Sequence, residues 1–155
     1  MNQKTEQIIE EAISKFGLTG NECWDVTNQH YHLVCGSANL FVSALKLQIN
    51  NKVETKNVIV FRSPLFRINE NMPISFYKEV LDINSDISDG SSLSIDKGYL
   101  LMKICIVEEF ISTALAFENM NNILYWSDLL DDKLMENYKD SLDKFNFSDY
   151  IQNLN

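Results

Sequence analysis

The two histidines in the stretch His30-Tyr31-His32 form a local cluster whose side chains could do chemistry. Residues i and i+2 of a β-strand point to the same side, so both imidazoles could bind one metal ion. A third ligand would have to come from Cys23 or from an acidic residue on a neighbouring strand. Because two ligands do not make a metal site, the sequence favours two polar side chains on a half-buried strand and no metal.

The same histidines, the only two in the chain, could also serve as the base for a nucleophile. Cys23 and Cys35 lie nearest to them in sequence, and an enzyme of an unfamiliar class that uses His30 or His32 remains one alternative. No GxSxG motif accompanies a serine. The third cysteine, Cys105, is distant, and no CxxC pair occurs, which indicates buried thiols in a reducing compartment.

Other motifs with a defined chemistry are missing. Neither GxGxxG nor GxxxxGK[ST] occurs, which argues against the nucleotide-binding loops of those two classes. The acidic loop that begins at Asp82 has Ile87 and Leu93 where an EF-hand needs glycine and glutamate. The pairs Glu108-Glu109 and Asp131-Asp132 are adjacent, so their carboxylates diverge. We therefore predict no catalytic residue, no cofactor and no metal.

Composition limits the possible classes of protein. The chain has 155 residues, 45% of them hydrophobic, which suits one ordinary globular domain. Its formal net charge is −9, so phosphate backbones and anionic membrane surfaces are repelled and neither is an expected partner. No signal peptide or membrane-spanning stretch is visible, which predicts a cytoplasmic protein.

Apolar periodicity predicts helices and strands in the order α-β-β-β-α-β-β-α. The predicted helices cover residues 5–16, a segment opened by Pro73, and residues 112–138; the predicted strands lie within 24–35, 40–49, 57–62, 92–95 and 98–107. Residues 50–52 are predicted as a turn, and Ser63-Pro64 as an interruption of a strand that residues 65–68 could continue as an edge. Because the strands come in two runs between helices, we predict an α+β fold with an antiparallel sheet flanked by helices.

This pattern predicts one domain over residues 1–140, followed by residues 141–155 as a flexible tail or a short docking helix. The strand YLLMKICIV is apolar on both sides, which indicates cover on both faces, from the domain's own helices or from another subunit. Its surplus of apolar side chains fits either a well-filled core or an interface, such as a dimer seam or a groove for an extended peptide.

Several features of the second half occur together. They are a short helix ending in Leu81-Asp82-Ile83-Asn84, a loop containing Gly90, the hairpin 93–100, and the pair Tyr125-Trp126 about one turn before Leu129-Leu130 in the closing helix. Over residues 73–130 the chain thereby resembles the class I type III secretion chaperones (the Tir-chaperone-like family) and the related YbjN-like domains.

The resemblance implies a non-enzymatic, chaperone-like homodimer that holds an extended segment of a partner polypeptide without a cofactor. The residues expected at the dimer seam are Phe76, Tyr77, Val80 and Leu81. The residues expected to contact the partner are Leu40, Val42, Val58 and Val60. Two other binding roles remain open: a YbjN-like regulatory domain that binds a folded signalling protein, and an acidic immunity-type inhibitor.

Overall fold

An antiparallel sheet carries the fold. The structure, a computed structural model, describes residues 1–49 and 54–154. Its strands are β1 (Trp24–Asp25), β2 (His30–Cys35), β3 (Ala38–Ile49), β4 (Glu54–Ile68), β5 (Ser92–Asp96), β6 (Tyr99–Val107) and β7 (Leu142–Lys144). Its helices are α1 (Gln3–Ser14), α2 (Gly20–Cys23), α3 (Ile74–Asp86), α4 (Thr113–Tyr138) and α5 (Phe147–Leu154), with a 3-10 turn at Glu108–Phe110.

Neighbouring strands follow the order β1-β2-β3-β4-β6-β5, and β7 pairs with the end of β4. All of these pairings are antiparallel. The predicted α+β class, with an antiparallel sheet and flanking helices, is therefore confirmed. None of the helices in the described part of the chain has the length and apolarity that crossing a bilayer requires.

Local sequence explains where several elements begin. The side-chain oxygen of Asn2 accepts a hydrogen bond from the backbone N–H of Thr5 at 2.9 Å, which caps α1. Ser112 caps α4 in the same way, through the N–H of Leu115 at 3.3 Å. Between β5 and β6, Lys97 and Gly98 both have positive φ, the geometry of a tight two-residue hairpin turn.

The two faces of the sheet differ in what covers them. On the side that we call the core face, α1, α3 and α4 pack against the sheet and form the main hydrophobic core. Members of this core from the helices include Ile9, Ile13, Phe76, Val80, Met120, Ile123, Leu130 and Leu134; members from the strands include Leu33, Leu40, Val42, Ile59, Phe61, Leu100, Met102 and Ile104. The side chains that alternate with these strand residues point to the opposite side, which we call the open face.

One strand is longer than predicted. The strand β4 runs through Ser63-Pro64 to Ile68 without ending, and Pro64 lies opposite Leu101 of β6. The pairing register with β6 shifts between Pro64 and Phe66, as a β-bulge would produce. A bulge accommodates the missing N–H of proline, so the strand can pass through it. The turn predicted at residues 50–52 lies outside the described residues.

The last residues of the chain cross from one side of the sheet to the other. After α4, the strand β7 pairs with Phe66–Ile68 of β4, and the buried side chain of Leu142 joins the main core. The following helix α5 then packs on the open face through Tyr150. The boundary at residue 140 between a domain and a tail stays a prediction, but residues 142–154 add a strand and a helix to the fold.

Candidate functional site: the open face of the sheet

Strand alternation assigns a defined set of side chains to the open face. The set includes His30 and His32 of β2, Phe41, Ser43, Leu45 and Leu47 of β3, Val58, Val60 and Arg62 of β4, Ser92, Ser94 and Asp96 of β5, and Tyr99, Leu101, Lys103 and Cys105 of β6. Helix α5 lies over one part of this surface, the covered half. The other part, the open half, consists of Leu45, Leu47, Val58, Val60 and Cys105.

Aromatic contacts hold α5 on the covered half. Tyr150, only 3% exposed, lies with its ring centroid 5.3 Å from that of Phe41 and 5.1 Å from that of Tyr99. The imidazole of His32 stacks against the rings of Phe41 and Phe147, at 4.6 Å and 4.7 Å, and these two rings are themselves 6.1 Å apart. Phe41, Tyr99, Leu101 and Tyr150 form a second, smaller hydrophobic cluster, separate from the main core.

The open half is apolar and has no cover within the described residues. Leu45 and Leu47 are 46% and 45% exposed, and the thiol-bearing side chain of Cys105 is also exposed. Val58 and Val60 lie between them as a buried floor. These side chains line a depression of about 130 Å³.

Two cations lie at the boundary between the covered and open halves. Arg62 and Lys103 are directly opposite each other on β4 and β6, and both line the depression. The guanidinium of Arg62 is also 6.0 Å from the ring centroid of Tyr150. Asp96 lines the same depression, yet among the described residues neither cation is within 4.0 Å of a carboxylate oxygen.

The four residues expected to contact a partner lie on opposite sides of the sheet. Leu40 and Val42 are fully buried on the core face, beneath the helices, so a partner cannot reach them and this part of the expectation is wrong. Val58 and Val60 are themselves only 4% and 3% exposed, but they line the depression on the open face and therefore remain candidates. The register between β3 and β4 explains this division. Val42 lies opposite Phe61, and both point to the core face, whereas Val60 lies opposite Ser43, and both point to the open face.

The four residues expected at a dimer seam are divided in the same manner. Phe76 and Val80 point into the main core and are buried, so they cannot form a seam in this fold. Tyr77 and Leu81 are exposed, and Ile74 joins them at helical spacing on the outer side of α3. The sequence correctly predicted an amphipathic helix here. Its exposed apolar residues, however, lie on a different side of the helix from the four that were expected at the seam.

The histidines do not meet a cysteine. His30 and His32 lie on the open face, whereas Cys23 packs in the core on the other side and Cys35 shares the side of Leu33. Burial lowers the pKa of both imidazoles. A ring nitrogen of His32 lies 3.0 Å from the side-chain oxygen of Asn39. Within the described residues, no three histidine, cysteine or acidic side chains are grouped as metal ligands.

Solved structures share the α+β fold of this chain. One similar chain comes from the heterodimeric ExoU–SpcU complex of the type III secretion system of Pseudomonas aeruginosa, with a TM-score of 0.56 and 15% identity over 80% of this chain and 95% of that one. A chain of the ExsC–ExsE complex has a TM-score of 0.57 and 10% identity over 85% of this chain and 96% of that one. No protein-family model matches the chain, and no curated protein matches its sequence.

Proposed function

We propose that this protein is a non-enzymatic, chaperone-like binding module that holds a segment of a partner polypeptide on the open half of the sheet. The observation that carries the proposal is the uncovered apolar surface of Leu45 and Leu47 above the floor of Val58 and Val60. Apolar side chains grouped on one exposed surface are typical of an interaction site. Both similar solved structures are complexes of two proteins, which supports a protein as the partner.

The chemistry of the open half favours a polypeptide over a small molecule. The depression has a volume of about 130 Å³, whereas pockets for small ligands have volumes of roughly 300–1,000 Å³. The exposed apolar side chains around it instead suit a chain that lays successive side chains across the sheet. Reversible binding of this kind keeps apolar parts of a partner from closing on themselves and needs no nucleotide.

Site-specific photo-crosslinking in the cells that make the protein tests the proposal. A photoreactive phenylalanine analogue replaces Leu47 on the open half, and in a matched control it replaces Gln7 on the exposed side of α1. We expect position 47 to crosslink to one short segment of another protein and position 7 not to do so. Equal crosslinking at both positions, or none at position 47, contradicts the proposal.

The same experiment separates the alternative binding roles. Crosslinks from position 47 that spread over a compact, folded surface of the partner would favour a regulatory domain or an inhibitor. Crosslinks confined to a short stretch of the partner's sequence favour a held segment. Mapping the crosslinked peptides by mass spectrometry therefore distinguishes these functions.

We also propose a homodimer, with the outer stripe of α3 as its seam. Ile74, Tyr77 and Leu81 support this, because three exposed apolar side chains follow one another on the same side of the helix. Leu81→Asp should shift a dimer to monomer in sedimentation analysis, while Leu129→Asp, on the exposed side of α4, should not. A dimer that survives Leu81→Asp contradicts this seam. Val80→Asp is unsuitable, because it would place a charge in the core.

A further inference from the structure

We infer that the partner segment carries an acidic side chain next to apolar ones, and that Arg62 and Lys103 bind its carboxylate. This inference rests on the proposed function and specifies the chemistry of the segment. The apolar neighbours of the acid would lie on Val58, Val60 and Leu45, and the acid at the boundary with the covered half. The occupant is thus a polypeptide with a single aspartate or glutamate among apolar residues.

The first argument is the charge arrangement. Arg62 and Lys103 are directly opposite each other on adjacent strands and point to the same side, an arrangement of like charges that costs stability. The chain as a whole has 13 basic and 22 acidic residues, yet in the described part no carboxylate is within 4.0 Å of these two cations. An external carboxylate between them would convert a repulsion into two charge-assisted hydrogen bonds.

The second argument is the set of unsatisfied donors. The Nε of Arg62 is buried and has no hydrogen-bond partner. The hydroxyls of Ser43 and Ser94 on the same face are also buried without a partner. A buried polar group without a partner costs about 1–3 kcal/mol. A guanidinium presents its donors in a fixed fork that matches a carboxylate, so one acidic side chain can satisfy Arg62 in a way that an apolar segment cannot.

The third argument is spacing. Val60 and Arg62 are two residues apart on one strand, which separates their side chains by about 7 Å. Cys105 and Lys103 repeat this arrangement on the neighbouring strand, opposite Val60 and Arg62. An extended segment that runs along these strands would therefore meet an apolar floor and, two residues further on, a pair of cations. The matching pattern is an apolar residue, any residue, then an acid.

Asp96 limits the pattern to a single acid. Its carboxylate lines the same depression from the β5 side. One incoming carboxylate can be held by two cations, but a run of acids would also meet Asp96 and be repelled. We therefore expect segments with one aspartate or glutamate at this position, not a polyacidic stretch.

The test is selection from a random library of displayed 12-residue peptides on the immobilised full-length protein. We expect the selected peptides to be enriched in one acid two residues from an apolar side chain. On Lys103→Gln, and on the double variant Arg62→Gln/Lys103→Gln, the enrichment in acids should disappear while the apolar preference stays. The charge-matched control Lys4→Gln/Lys139→Gln, on exposed positions, should select the same peptides as the wild type.

Each other outcome counts against the inference. Peptides that are apolar without an acid, or acid enrichment that persists on Lys103→Gln, overturn the acid anchor but leave the binding function in place. No selected peptide on a folded protein, as judged by circular dichroism, contradicts the proposed function itself and the anchor with it. Selection could also fail because a second copy of the chain covers the open face. In that case the protein is a dimer that Leu47→Asp dissociates. This result assigns the surface to the second copy and also overturns the anchor.

Discussion

The two faces of the same sheet are covered to different extents. On the core face, three helices bury a continuous layer of aliphatic and aromatic side chains. On the open face, one short helix buries a small aromatic cluster and leaves Leu45 and Leu47 in contact with solvent. Both faces are built from the same strands, so the difference comes from the alternation of side chains and from what the rest of the chain supplies as cover.

Polar atoms differ between the faces as well. Among the described residues, ten buried side-chain atoms lack a hydrogen-bond partner. Six belong to the open face or to α5: His30 Nε2, Ser43 Oγ, Arg62 Nε, Ser94 Oγ, Tyr99 OH and Tyr150 OH; the other four are Ser63 Oγ, Ser91 Oγ, Asn119 Nδ2 and Ser127 Oγ. Each such atom costs free energy, so the open face and α5 carry the larger share of this cost. The comparison teaches that the core face stabilises the fold, whereas the open face is suited to binding.

The largest expected effect is on the core face. Phe76→Ala removes a fully buried ring that contacts Tyr138 edge-to-face, and should lower the free energy of unfolding by about 3–5 kcal/mol. The exposed neighbour Tyr77→Ala is the control and should cost less than about 1 kcal/mol. Urea denaturation measures both. Similar losses for the two variants would contradict the assignment of Phe76 to the core and Tyr77 to the surface.

A smaller effect is expected where α5 covers the open face. Tyr150→Ala should lower the free energy of unfolding by about 2 kcal/mol, less than Phe76→Ala, because the cluster beneath it is small. It should also raise amide hydrogen exchange in α5 before the rest of the chain.

Tyr150→Phe is the control for this variant. It keeps the ring and removes a hydroxyl that is buried without a partner, so stability should stay the same or rise by up to about 1 kcal/mol. A loss as large as that of Tyr150→Ala would mean that the hydroxyl, and not the ring, holds α5 in place.

The sequence predicted the sheet, its order of elements and the class of the fold, because period-2 and helical patterns are local. It misplaced half of each set of interface residues for one reason. Which parity of a strand, or which side of a helix, points outward depends on tertiary packing. Leu40 and Val60 are both apolar strand residues, and only the pairing between β3 and β4 shows that they lie on opposite faces.

A short docking helix was one of the two predictions for residues 141–155, but the surface on which it docks could not be predicted. Residues 142–154 form a strand and a helix whose position depends on distant partners, namely β4 and the aromatic rings of Phe41 and Tyr99. The polar tail with scattered aromatic residues indicated only that docking was possible. The pairing of Arg62 with Lys103 is likewise a property of register between strands about forty residues apart in sequence.

Acidification should lower the free energy of unfolding through the two histidines of the open face. Burial holds the pKa of His30 and His32 below the usual histidine value, so the unfolded chain binds protons more readily than the folded one. The contribution of the two histidines to stability is present above their unfolded pKa of about 6.5. It is lost as the pH falls through their lower pKa values in the folded state. Urea midpoints should therefore decrease between about pH 7 and pH 5.

His32→Gln sharpens this test. The glutamine amide can still donate to the side-chain oxygen of Asn39 but does not titrate, so the decrease with pH should become shallower. Hydrogen exchange in α5 should also depend less on pH, because His32 lies between the sheet and Phe147. An unchanged slope in this variant would assign the pH dependence to other groups.

The smallest effect on stability, and the largest on binding, is expected on the open half. Leu47→Ser should change the free energy of unfolding by no more than about 0.5 kcal/mol, since its side chain is already 45% exposed. Binding of the partner segment identified by crosslinking should fall about tenfold, the amount that about 1.4 kcal/mol of lost contact energy produces. Leu129→Ser, on the exposed side of α4, is the matched control and should change neither quantity. Equal binding by the two variants would mean that the exposed apolar side chains of the open half take no part in recognition, and the functional difference between the two faces of the sheet would then be lost.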